Sequence, residues 1–380
     1  MGKIKIISKS DPTRAYSGLR YMAETLKRKG AEVQLIAWIP SERISETDSW
    51  DVDVKSLGNV WYSKLPIIRS YLVQLHVLFI LLFDNSNVIF HELSFFRVLV
   101  FLKKLFPKRK YVHYATELYD ENDVPAHRRL LEFYKVNASK PDIIIECDQL
   151  RANYRKKFYD VKSPILVVPN TIPKFFENKN PPDLYSISGL NSKPASKVVL
   201  YAGAGYLHRE IDRIIDGIAL CETKVFFLAF CYGPESEIKI IREYANKKLG
   251  TDRVKICSAV ERNILISCID QADIGVVYYR PSLSIGNKFA SPTKLFEYLS
   301  RGLPVLCSNN ESLLDIINDN GFGVCVNDES VKAIADAVDN ISHKLDCDEN
   351  WSRDILYNFN KKFEYETYTD NAFNELLRML

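Results

Sequence analysis

The sequence predicts an α/β fold with two doubly wound domains, each a parallel sheet covered by helices. Short segments rich in β-branched and aromatic residues alternate with amphipathic helical segments through most of the chain. A polar stretch containing several prolines interrupts this alternation near the middle, and the alternation then begins again. Two such halves account for the 380 residues, since one domain ordinarily takes about 100 to 200.

Six strands are predicted in the first half, and the helix Leu19–Lys29 between the first two is stopped by Gly30. Each strand is a short run dominated by Ile, Val, Leu or aromatic residues. The predicted strands of this half are Lys3–Ser8, Glu32–Ala37, Val88–Phe90, Lys110–His113, Ile143–Glu146 and Ile165–Val168.

The second half repeats the pattern after a connection without periodicity. Its predicted strands are Val198–Tyr201, Lys224–Phe230, Val254–Ile256, Ile274–Tyr278, Pro304–Cys307 and Gly323–Val326. We predict an N-terminal domain over residues 1–172, a linker over 173–197, a C-terminal domain over 198–355 and a helical tail over 356–380. The aromatic-rich segment Trp351–Leu380 is expected to pack across both halves and to return to the N-terminal domain.

Composition and charge exclude several classes of protein. The chain is 47% hydrophobic and 26% charged with a net charge of +3, which argues against disorder and against binding to nucleic acid. None of the eight cysteines has C-x-x-C spacing, and the six histidines are scattered, so we expect buried thiols and no metal site. The first residues form a strand without the apolar core of a signal peptide, which favours a cytoplasmic location.

One apolar run, Leu72–Phe83, is about 12 residues long and is too short to cross a bilayer, so a buried helix is expected there. The following helix ends in a cluster of cations mixed with apolar residues, a pattern suited to an anionic membrane surface as well as to a plain solvated helix end. The cations of this predicted peripheral contact are Lys103, Lys104, Lys108, Arg109 and Lys110.

The segment Ser291–Leu306 predicts a helix with marked ends. Ser291 is expected to cap it, Pro292 suits its first turn, and Gly302 followed by Pro304 stops it. The free backbone amides near Thr293, together with the positive end of the helix dipole, favour an anion there.

Two charged side chains on this helix indicate what such an anion would belong to. Lys294 adds a full positive charge beside the free amides, which suits a phosphate. Glu297 lies one turn further on and is placed to accept hydrogen bonds from the hydroxyls of a sugar. An internal ion pair between Lys294 and Glu297 on a solvated helix is the alternative.

A second phosphate-binding element is predicted where Gly203-Ala-Gly205 follows a strand and precedes a helix. The backbone of these glycines can approach a diphosphate, and Arg209 can neutralise it. His208 replaces the third glycine of the dinucleotide fingerprint, and no acidic residue ends the next strand, so a dehydrogenase is disfavoured. The motifs of P-loop kinases, zinc proteases and α/β-hydrolases are absent from the sequence. Because ligands bind outside the carboxyl ends of parallel strands, we expect the site in a cleft between the two domains.

The motif Ser291-Pro-Thr-Lys-Leu-Phe-Glu-Tyr-Leu-Ser-Arg-Gly-Leu-Pro-Val305 resembles the nucleotide-sugar motif of GT-B glycosyltransferases, above all of the GT4-like family of bacterial polysaccharide enzymes. Val168-Pro-Asn170 and Tyr201-Ala-Gly203 are similar to the family's signatures at the end of the first domain and the start of the second. Glu117-Leu-Tyr119 resembles the family's His-Glu-Leu-Tyr segment. The likeness extends over nearly the whole chain and is stronger from Val198 onward.

The resemblance implies the GT-B fold, with two Rossmann-like domains, and transfer of a hexose-type sugar from a nucleotide diphosphate, with UDP favoured. It implies a glycan or lipid-linked acceptor at the inner membrane face and no metal or other cofactor. The donor would bind mainly to the second domain, and the acceptor would enter near Asp11–Gly18. The residues implied for the donor are Gly203, Gly205, Arg209, Ser291, Pro292, Thr293, Lys294 and Glu297, and those implied on the acceptor side are Ser17 and Gly18.

Two positions depart from the family pattern. Phe289 stands where the family has the first of two acidic residues, so Asn287 or backbone amides near Ser291 would have to contact the donor sugar instead. Thr116 stands in place of the family's histidine. The candidates for the polar group beside the reacting sugar are His113, Glu117 and His91. Retention and inversion at the anomeric carbon both stay open, and so do a sugar-nucleotide epimerase or hydrolase of this fold and a catalytically idle sugar-nucleotide-binding partner.

Overall fold

The computed structural model describes residues 2–13, 16–58, 69–119, 128–173, 183–190, 192, 194–207 and 210–380. The chain divides into two compact units. Unit 1 comprises residues 1–170 together with Tyr368–Leu380, and unit 2 comprises Thr171–Thr367.

In its described residues, unit 1 contains a seven-stranded parallel sheet with the order β3-β2-β1-β4-β5-β6-β7. The sheet changes winding direction between β1 and β4, which are neighbours in space but not in sequence. The strands are β1 (Lys3–Ile7), β2 (Glu32–Ala37), β3 (Asp53–Ser56), β4 (Asn87–His91), β5 (Tyr111–Ala115), β6 (Ile143–Glu146) and β7 (Ile165–Val167). The helices are α1 (Gly18–Arg28), α2 (Arg69–Leu82), α3 (Phe96–Leu105), α4 (Arg128–Asn137) and α5 (Gln149–Phe158).

The described part of unit 2 contains a six-stranded parallel sheet with the order β10-β9-β8-β11-β12-β13, and its winding reverses between β8 and β11. Its strands are β8 (Lys197–Ala204), β9 (Val225–Tyr232), β10 (Val254–Ser258), β11 (Ile274–Val277), β12 (Val305–Cys307) and β13 (Gly323–Cys325). The remaining helices are α6 (Leu184–Ile187), α7 (Ile211–Ala219), α8 (Glu235–Leu249), α9 (Arg262–Ile269), α10 (Ile285–Lys288), α11 (Thr293–Leu299), α12 (Glu311–Asn318), α13 (Val331–Cys347), α14 (Trp351–Lys362) and α15 (Tyr365–Met379).

The predicted α/β class with two doubly wound parallel sheets is confirmed. Three local predictions differ from the structure. β8 continues to Ala204 because its pairing with β9 extends through Gly203 and Ala204, so Gly203 lies in the strand and not in a turn. β3 was not predicted, since only its residues Val54 and Ser56 are half-buried and its sequence is polar. The C-terminal segment is two helices, separated at Phe363 and Glu364.

The prediction that Leu72–Phe83 forms a buried helix is wrong for one face of α2. Val73, Val77 and Leu81 are buried against the unit, whereas the opposite face is apolar and exposed. Across the described ranges, no helix is both long enough and apolar enough to cross a membrane.

Candidate functional site

Lys294 lies near the winding reversal of the unit 2 sheet, close to the carboxyl ends of β8 and β11. Its ammonium nitrogen is 4.5 Å from the ring centroid of Tyr201 and 4.9 Å from that of Tyr279. The Tyr201 ring is buried, and its hydroxyl donates to the carbonyl of Ala204 at 3.0 Å. Two aromatic faces therefore hold the cation of a half-buried lysine in one place through cation–π attraction.

The two predicted glycines owe their identity to close packing. A Cβ atom on Gly203 would come to 2.8 Å from the Tyr201 hydroxyl and 3.3 Å from the Lys294 ammonium. A Cβ atom on Gly205 would come to 2.8 Å from the Cβ of Cys231. Gly203 thus leaves the space that Lys294 and Tyr201 use, while Gly205 allows the chain to leave β8 beside β9. Arg209, the cation predicted beside them, lies outside the described residues.

The start of α11 differs from the prediction. The helix begins at Thr293, its cap position is Pro292, and the side chain of Ser291 does not cap it. Ser291 to Lys294 are all half-buried. Because the helix has only seven residues, its dipole and free amides are weaker grounds for an anion site than the side chain of Lys294.

Glu297 and Lys294 do not form an ion pair with each other, which was the alternative prediction for this helix. Glu297 is buried, and its carboxylate pairs with the guanidinium of Arg262 on α9. The hydroxyl of Tyr298, the next residue, accepts a hydrogen bond from the Ala202 amide of β8 at 3.0 Å. Lys294 therefore contacts the aromatic rings at the strand ends, whereas Glu297 is tied to a neighbouring helix.

A buried polar platform after β12 holds the segment that leads from β11 to α11. The Tyr279 amide donates to the Ser308 hydroxyl at 2.7 Å. The Asn310 side-chain amide donates to the carbonyls of Tyr279 at 2.9 Å and Asn287 at 2.5 Å. Asn310 is fully buried, so these hydrogen bonds are shielded from water. Tyr279, one of the two rings around Lys294, is thereby fixed through its backbone.

Phe289, which stands where the family has an acidic residue, and Asn287, its expected replacement, both form hydrogen bonds within this segment. Phe289 is buried, and its amide donates to the carbonyl of Ile285 at 3.2 Å. The side-chain amide of Asn287 donates to the carbonyl of Arg280 at 3.1 Å. The apolar ring of Phe289 thus fits a packed position, which explains why a carboxylate is absent there.

A chain of ion pairs follows the carboxyl end of β8 in the structure, and the sequence did not predict it. Glu210 is buried at a left-handed backbone position, φ 66°, immediately before α7. Its carboxylate is 3.1 Å from Arg280, which in turn lies 3.7 Å from Glu329. Arg280 therefore links the end of β8 to the segment after β11 through charged groups, next to the ring of Tyr279 in sequence.

In unit 1, His91 ends β4 at the corresponding winding reversal. Its Nδ1 is 3.0 Å from the hydroxyl of Ser8, and its Nε2 is 3.0 Å from the hydroxyl of Thr116. Burial lowers the pKa of His91 to about 3, so the imidazole is neutral at physiological pH. A neutral ring donates from one nitrogen and accepts at the other, which both hydroxyl partners permit.

Glu92 is a functional candidate that the sequence analysis missed. It is buried and has a left-handed backbone, with φ 58°. One carboxylate oxygen accepts from the amides of Thr116 at 2.6 Å and Glu117 at 2.8 Å, and from the Thr116 hydroxyl. Burial, and then the neighbouring Glu117 carboxylate, raise the pKa of Glu92 to about 7, although the Thr116 hydrogen bonds oppose this. Such a carboxyl can hold or release a proton near neutral pH.

Backbone carbonyls of the loop Thr116–Tyr119, which follows β5, also accept hydrogen bonds that fix the loop. Buried Glu146 on β6 accepts from Arg155 at 2.7 Å and from Arg151 at 3.2 Å. Arg151 donates to the Thr116 carbonyl at 2.7 Å, and Arg155 donates to the Glu117 carbonyl at 3.1 Å. Glu117 itself is exposed at the carboxyl edge of the sheet. Its backbone is therefore held by the arginines and by Glu92, while its side chain faces solvent.

The structure brings most unit 1 candidates together but separates His113 from them. In the β4–β5 register, His113 faces Phe90 and Tyr114 faces His91, so the two histidines lie on opposite faces of the sheet. His113 is buried between Phe96 and Tyr134, and burial together with Arg155 lowers its pKa well below the usual value. It is a core residue of this sheet face.

The two acceptor-side candidates lie at the start of α1, next to the His91 cluster. Ser17 is buried at the cap position of α1 but makes no side-chain capping bond. A Cβ atom on Gly18 would come to 3.3 Å from the Tyr114 hydroxyl, and the Tyr114 ring lies 5.4 Å from that of His91. Ser17 and Gly18 therefore border the edge of the sheet where His91 and Glu92 lie.

The five cations predicted to contact a membrane differ in their burial and in their hydrogen-bond partners. Arg109 is buried and donates to the carbonyl of Leu81 at 3.0 Å, so it lies inside the fold, away from any membrane surface. Lys103 is held by Asp142 at 2.7 Å. Lys104 and Lys108 are exposed, and Lys110 is half-buried.

Within the described residues, no three His, Cys, Asp or Glu side chains are grouped so that they could hold a metal ion.

The model of the family described as "Glycosyl transferases group 1" matches residues 186–355. Sucrose-phosphate synthase from Thermosynechococcus elongatus is similar in structure, with a TM-score of 0.74 and 16% identity, over 100% of this chain and 98% of that chain. HepE from Anabaena in complex with UDP-glucose has a TM-score of 0.74 and 13% identity over 100% of both chains. A glycosyltransferase from Rickettsia africae has a TM-score of 0.71 and 13% identity, over 100% of this chain and 97% of that chain. No curated protein matches the sequence. The resemblance to GT-B glycosyltransferases is confirmed.

Proposed function

We propose that this chain transfers a sugar from a nucleotide-diphosphate donor, with UDP-sugars favoured, because residues 186–355 match the group 1 glycosyltransferase family and the chain has the fold of GT-B glycosyltransferases. The acceptor in this proposal is a glycan or a lipid-linked glycan of surface polysaccharide biosynthesis. The protein acts in the cytoplasm or peripherally at the inner face of the plasma membrane. HepE, which has the same fold, has been crystallised with UDP, with UDP and glucose, and with UDP-glucose, which supports the choice of donor.

The observation that carries the proposal is the fixed cation of Lys294 at the carboxyl end of the unit 2 sheet. It lies within the matched family segment, beside Gly203, which leaves room for the side chains of Lys294 and Tyr201. We assign Lys294 to the diphosphate, where a localised positive charge stabilises the leaving group as it develops charge. This role is the reason to propose that the reaction needs no metal ion, since a lysine supplies the charge that a divalent cation otherwise supplies.

The other donor contacts follow the same arrangement. We assign Gly203, Gly205 and the backbone at Ser291 to Thr293 to the diphosphate as well, with Arg209 as a second cation. Glu297 is assigned to the ribose through the carboxylate oxygen that its pair with Arg262 leaves available.

The acceptor side is assigned to the carboxyl edge of the unit 1 sheet. There His91, Glu92 and Glu117 border Ser17 and Gly18, and Glu92 has a pKa suited to proton transfer near neutral pH. Glu92 joins His91 and Glu117 as a candidate for the polar group near the reacting sugar, while the core position of His113 removes support for that residue.

The test replaces Lys294 by methionine and measures UDP affinity by calorimetry and sugar transfer with labelled UDP-sugars. Loss of a charged hydrogen bond to phosphate should weaken UDP binding about 10- to 100-fold. Lys288→Met is the matched control, because this exposed lysine on the same segment pairs with Glu311 and should not affect binding. Equal affinity in Lys294→Met and wild type would refute the donor assignment.

The donor and the reaction type are separated by two further measurements. A thermal-shift screen over UDP-, GDP- and ADP-sugars identifies the base, since a ligand at 100 times its Kd stabilises the fold by about 2.7 kcal/mol. Incubation with the best donor but no acceptor follows. Rapid conversion to another sugar nucleotide or to free sugar would replace the transferase by an epimerase or hydrolase. Tight binding without transfer to any membrane-lipid extract would indicate an idle binding partner.

A further inference from the structure

The exposed face of α2 is formed by large apolar side chains. Tyr71, Leu75, Phe79 and Phe83 follow one another at intervals of four residues and are 59 to 81% exposed. The rings of Phe79 and Phe83 contact each other edge to face, with their centroids 5.3 Å apart. An isolated exposed phenylalanine is common, but a continuous stripe along a whole helix indicates a binding surface.

The neighbouring helix also exposes apolar side chains and adds positive charge. α3 packs against α2, and Phe101 and Leu105 are each nearly half exposed on its surface. Lys104 and Lys108 are exposed on the same stretch of chain. We call the set Tyr71, Leu75, Phe79, Phe83, Phe101, Leu105, Lys104 and Lys108 the α2–α3 surface.

The chain segment that forms this surface carries few acidic residues. Between Arg69 and Lys110 the sequence has seven lysines and arginines but only the carboxylates Asp84 and Glu92. Asp84 is held by Lys5 at 2.7 Å and lies 3.8 Å from Arg109, and Glu92 is buried. The α2–α3 surface therefore combines an apolar face with cations that no exposed carboxylate of the same segment offsets.

We propose that the α2–α3 surface docks the protein on an anionic lipid bilayer, with the α2 rings in the headgroup region and Lys104 and Lys108 against lipid phosphates. Aromatic rings favour the interfacial zone, and lysines near an anionic surface are attracted to it. α2 is about 21 Å long and cannot span the hydrocarbon core of about 30 Å, so it lies along the surface. A symmetric contact with a second copy would bring two cationic surfaces together, which disfavours that occupant.

The test measures sedimentation of the full chain with vesicles of phosphatidylcholine, with and without phosphatidylglycerol, at low salt and without a sugar donor. Phe79→Ser/Phe83→Ser and Lys104→Glu/Lys108→Glu should each reduce affinity for the anionic vesicles at least about tenfold. Neutral vesicles should bind weakly. The controls are Tyr357→Ser, on an equally exposed ring of α14, and Lys156→Glu/Lys157→Glu, on exposed lysines of α5. Both should bind like wild type.

UDP affinity should be unchanged in all of these variants, which shows that they are folded and keeps this inference separate from the proposed reaction. The proposal is overturned if wild type does not sediment with anionic vesicles, if it binds neutral vesicles equally well, or if the Phe79/Phe83 variant binds as wild type does. A concentration-dependent dimer that the Phe79/Phe83 substitutions abolish, without vesicle binding, would instead assign the surface to a second copy of the chain.

Discussion

Thr116 connects two buried titratable groups in unit 1. Its hydroxyl is 3.0 Å from Nε2 of His91 and also bonds to the carboxylate of Glu92. With Glu92 ionised, the hydroxyl donates to Glu92 and accepts from His91. With Glu92 protonated, its carboxyl can donate to the Thr116 hydroxyl. That hydroxyl then donates to Nε2 of His91, and Nδ1 of His91 donates to the Ser8 hydroxyl. The residue that replaces the family's histidine thus provides a path along which both protonation states stay hydrogen-bonded.

The raised pKa of Glu92 predicts how stability depends on pH. A carboxyl whose pKa rises from 4.5 in the unfolded chain to about 7 in the fold binds more protons when folded. The free energy of unfolding therefore falls as the pH rises from about 4.5 to about 7. In Glu92→Gln this loss is absent. The variant should gain roughly 3 kcal/mol on wild type between pH 4 and pH 8, measured by urea unfolding at each pH.

His91 does not obscure this measurement. Its lowered pKa makes stability fall as the pH drops below about 6.5, but the effect is common to wild type and Glu92→Gln and cancels in their difference. Glu243→Gln is the control, because that carboxylate is exposed on α8 in unit 2. A difference between wild type and Glu92→Gln that stays constant with pH would show that folding does not change the pKa of Glu92.

The contrast between Lys294 and Glu92 shows what the sequence can reveal about a site. Lys294 belongs to a contiguous motif with a helix stop and a recognisable spacing, so the sequence alone selects it as a candidate. Glu92 has no motif. Its signals are burial and a left-handed backbone, which arise only when β4 and β5 lie side by side. The core position of His113 was not predictable for the same reason, since the sheet register decides which face a strand residue occupies.

The loop after β12 acts as a support for the segment between β11 and α11. Ser308 and Asn310 bind Tyr279 through its amide and its carbonyl, and Ser312 donates to the carbonyl of Ala290 at 2.5 Å. One end of the segment carries Tyr279, one of the two rings around Lys294, and the other end leads into α11. The position of Lys294 relative to Tyr279 therefore depends on side chains from a different strand.

Asn310→Ala should weaken UDP binding about tenfold and lower the free energy of unfolding by about 1 to 3 kcal/mol. The substitution leaves the carbonyls of Tyr279 and Asn287 without their buried donor. Asn309→Ala is a matched control one residue away, since Asn309 is exposed and its contact with Asn327 is at 3.4 Å. Calorimetry with UDP and urea unfolding check both effects. A stability loss with unchanged UDP affinity would mean that the platform does not position the donor site.

The boundary of an element could be predicted where a residue type itself ends the helix or strand. It could not be predicted where packing against other elements sets the boundary. Gly302 has φ 72° and follows the end of α11, as the sequence predicted. The start of α11 was misplaced because Ser291 has the residue type of a cap but not its position. The exposed face of α2 was not predicted, because an apolar run carries no information about which of its faces is covered.

The two parallel sheets were predictable because alternation of strands and helices admits few other architectures. The contacts that hold the final helix were not. Residues Tyr368–Leu380 belong to unit 1, although they are separated from its other residues by the whole of unit 2. The contacts responsible are Phe373 and Leu376, which are fully buried, and Lys29, which binds Asp370 and Asn374. Such long-range pairing leaves only an amphipathic pattern in the sequence.

Phe373→Ala should therefore destabilise unit 1, although the residue is close to the end of the chain. Removing a fully buried ring costs about 3 to 5 kcal/mol, and its neighbours in the fold are residues of unit 1. Hydrogen exchange resolved by peptide should show faster exchange in β1 to β7, while β8 to β13 keep wild-type protection and UDP affinity is retained. Glu375→Ala, on the exposed side of the same helix, should exchange like wild type. Loss of protection confined to β8 to β13 would contradict the assignment of this segment to unit 1.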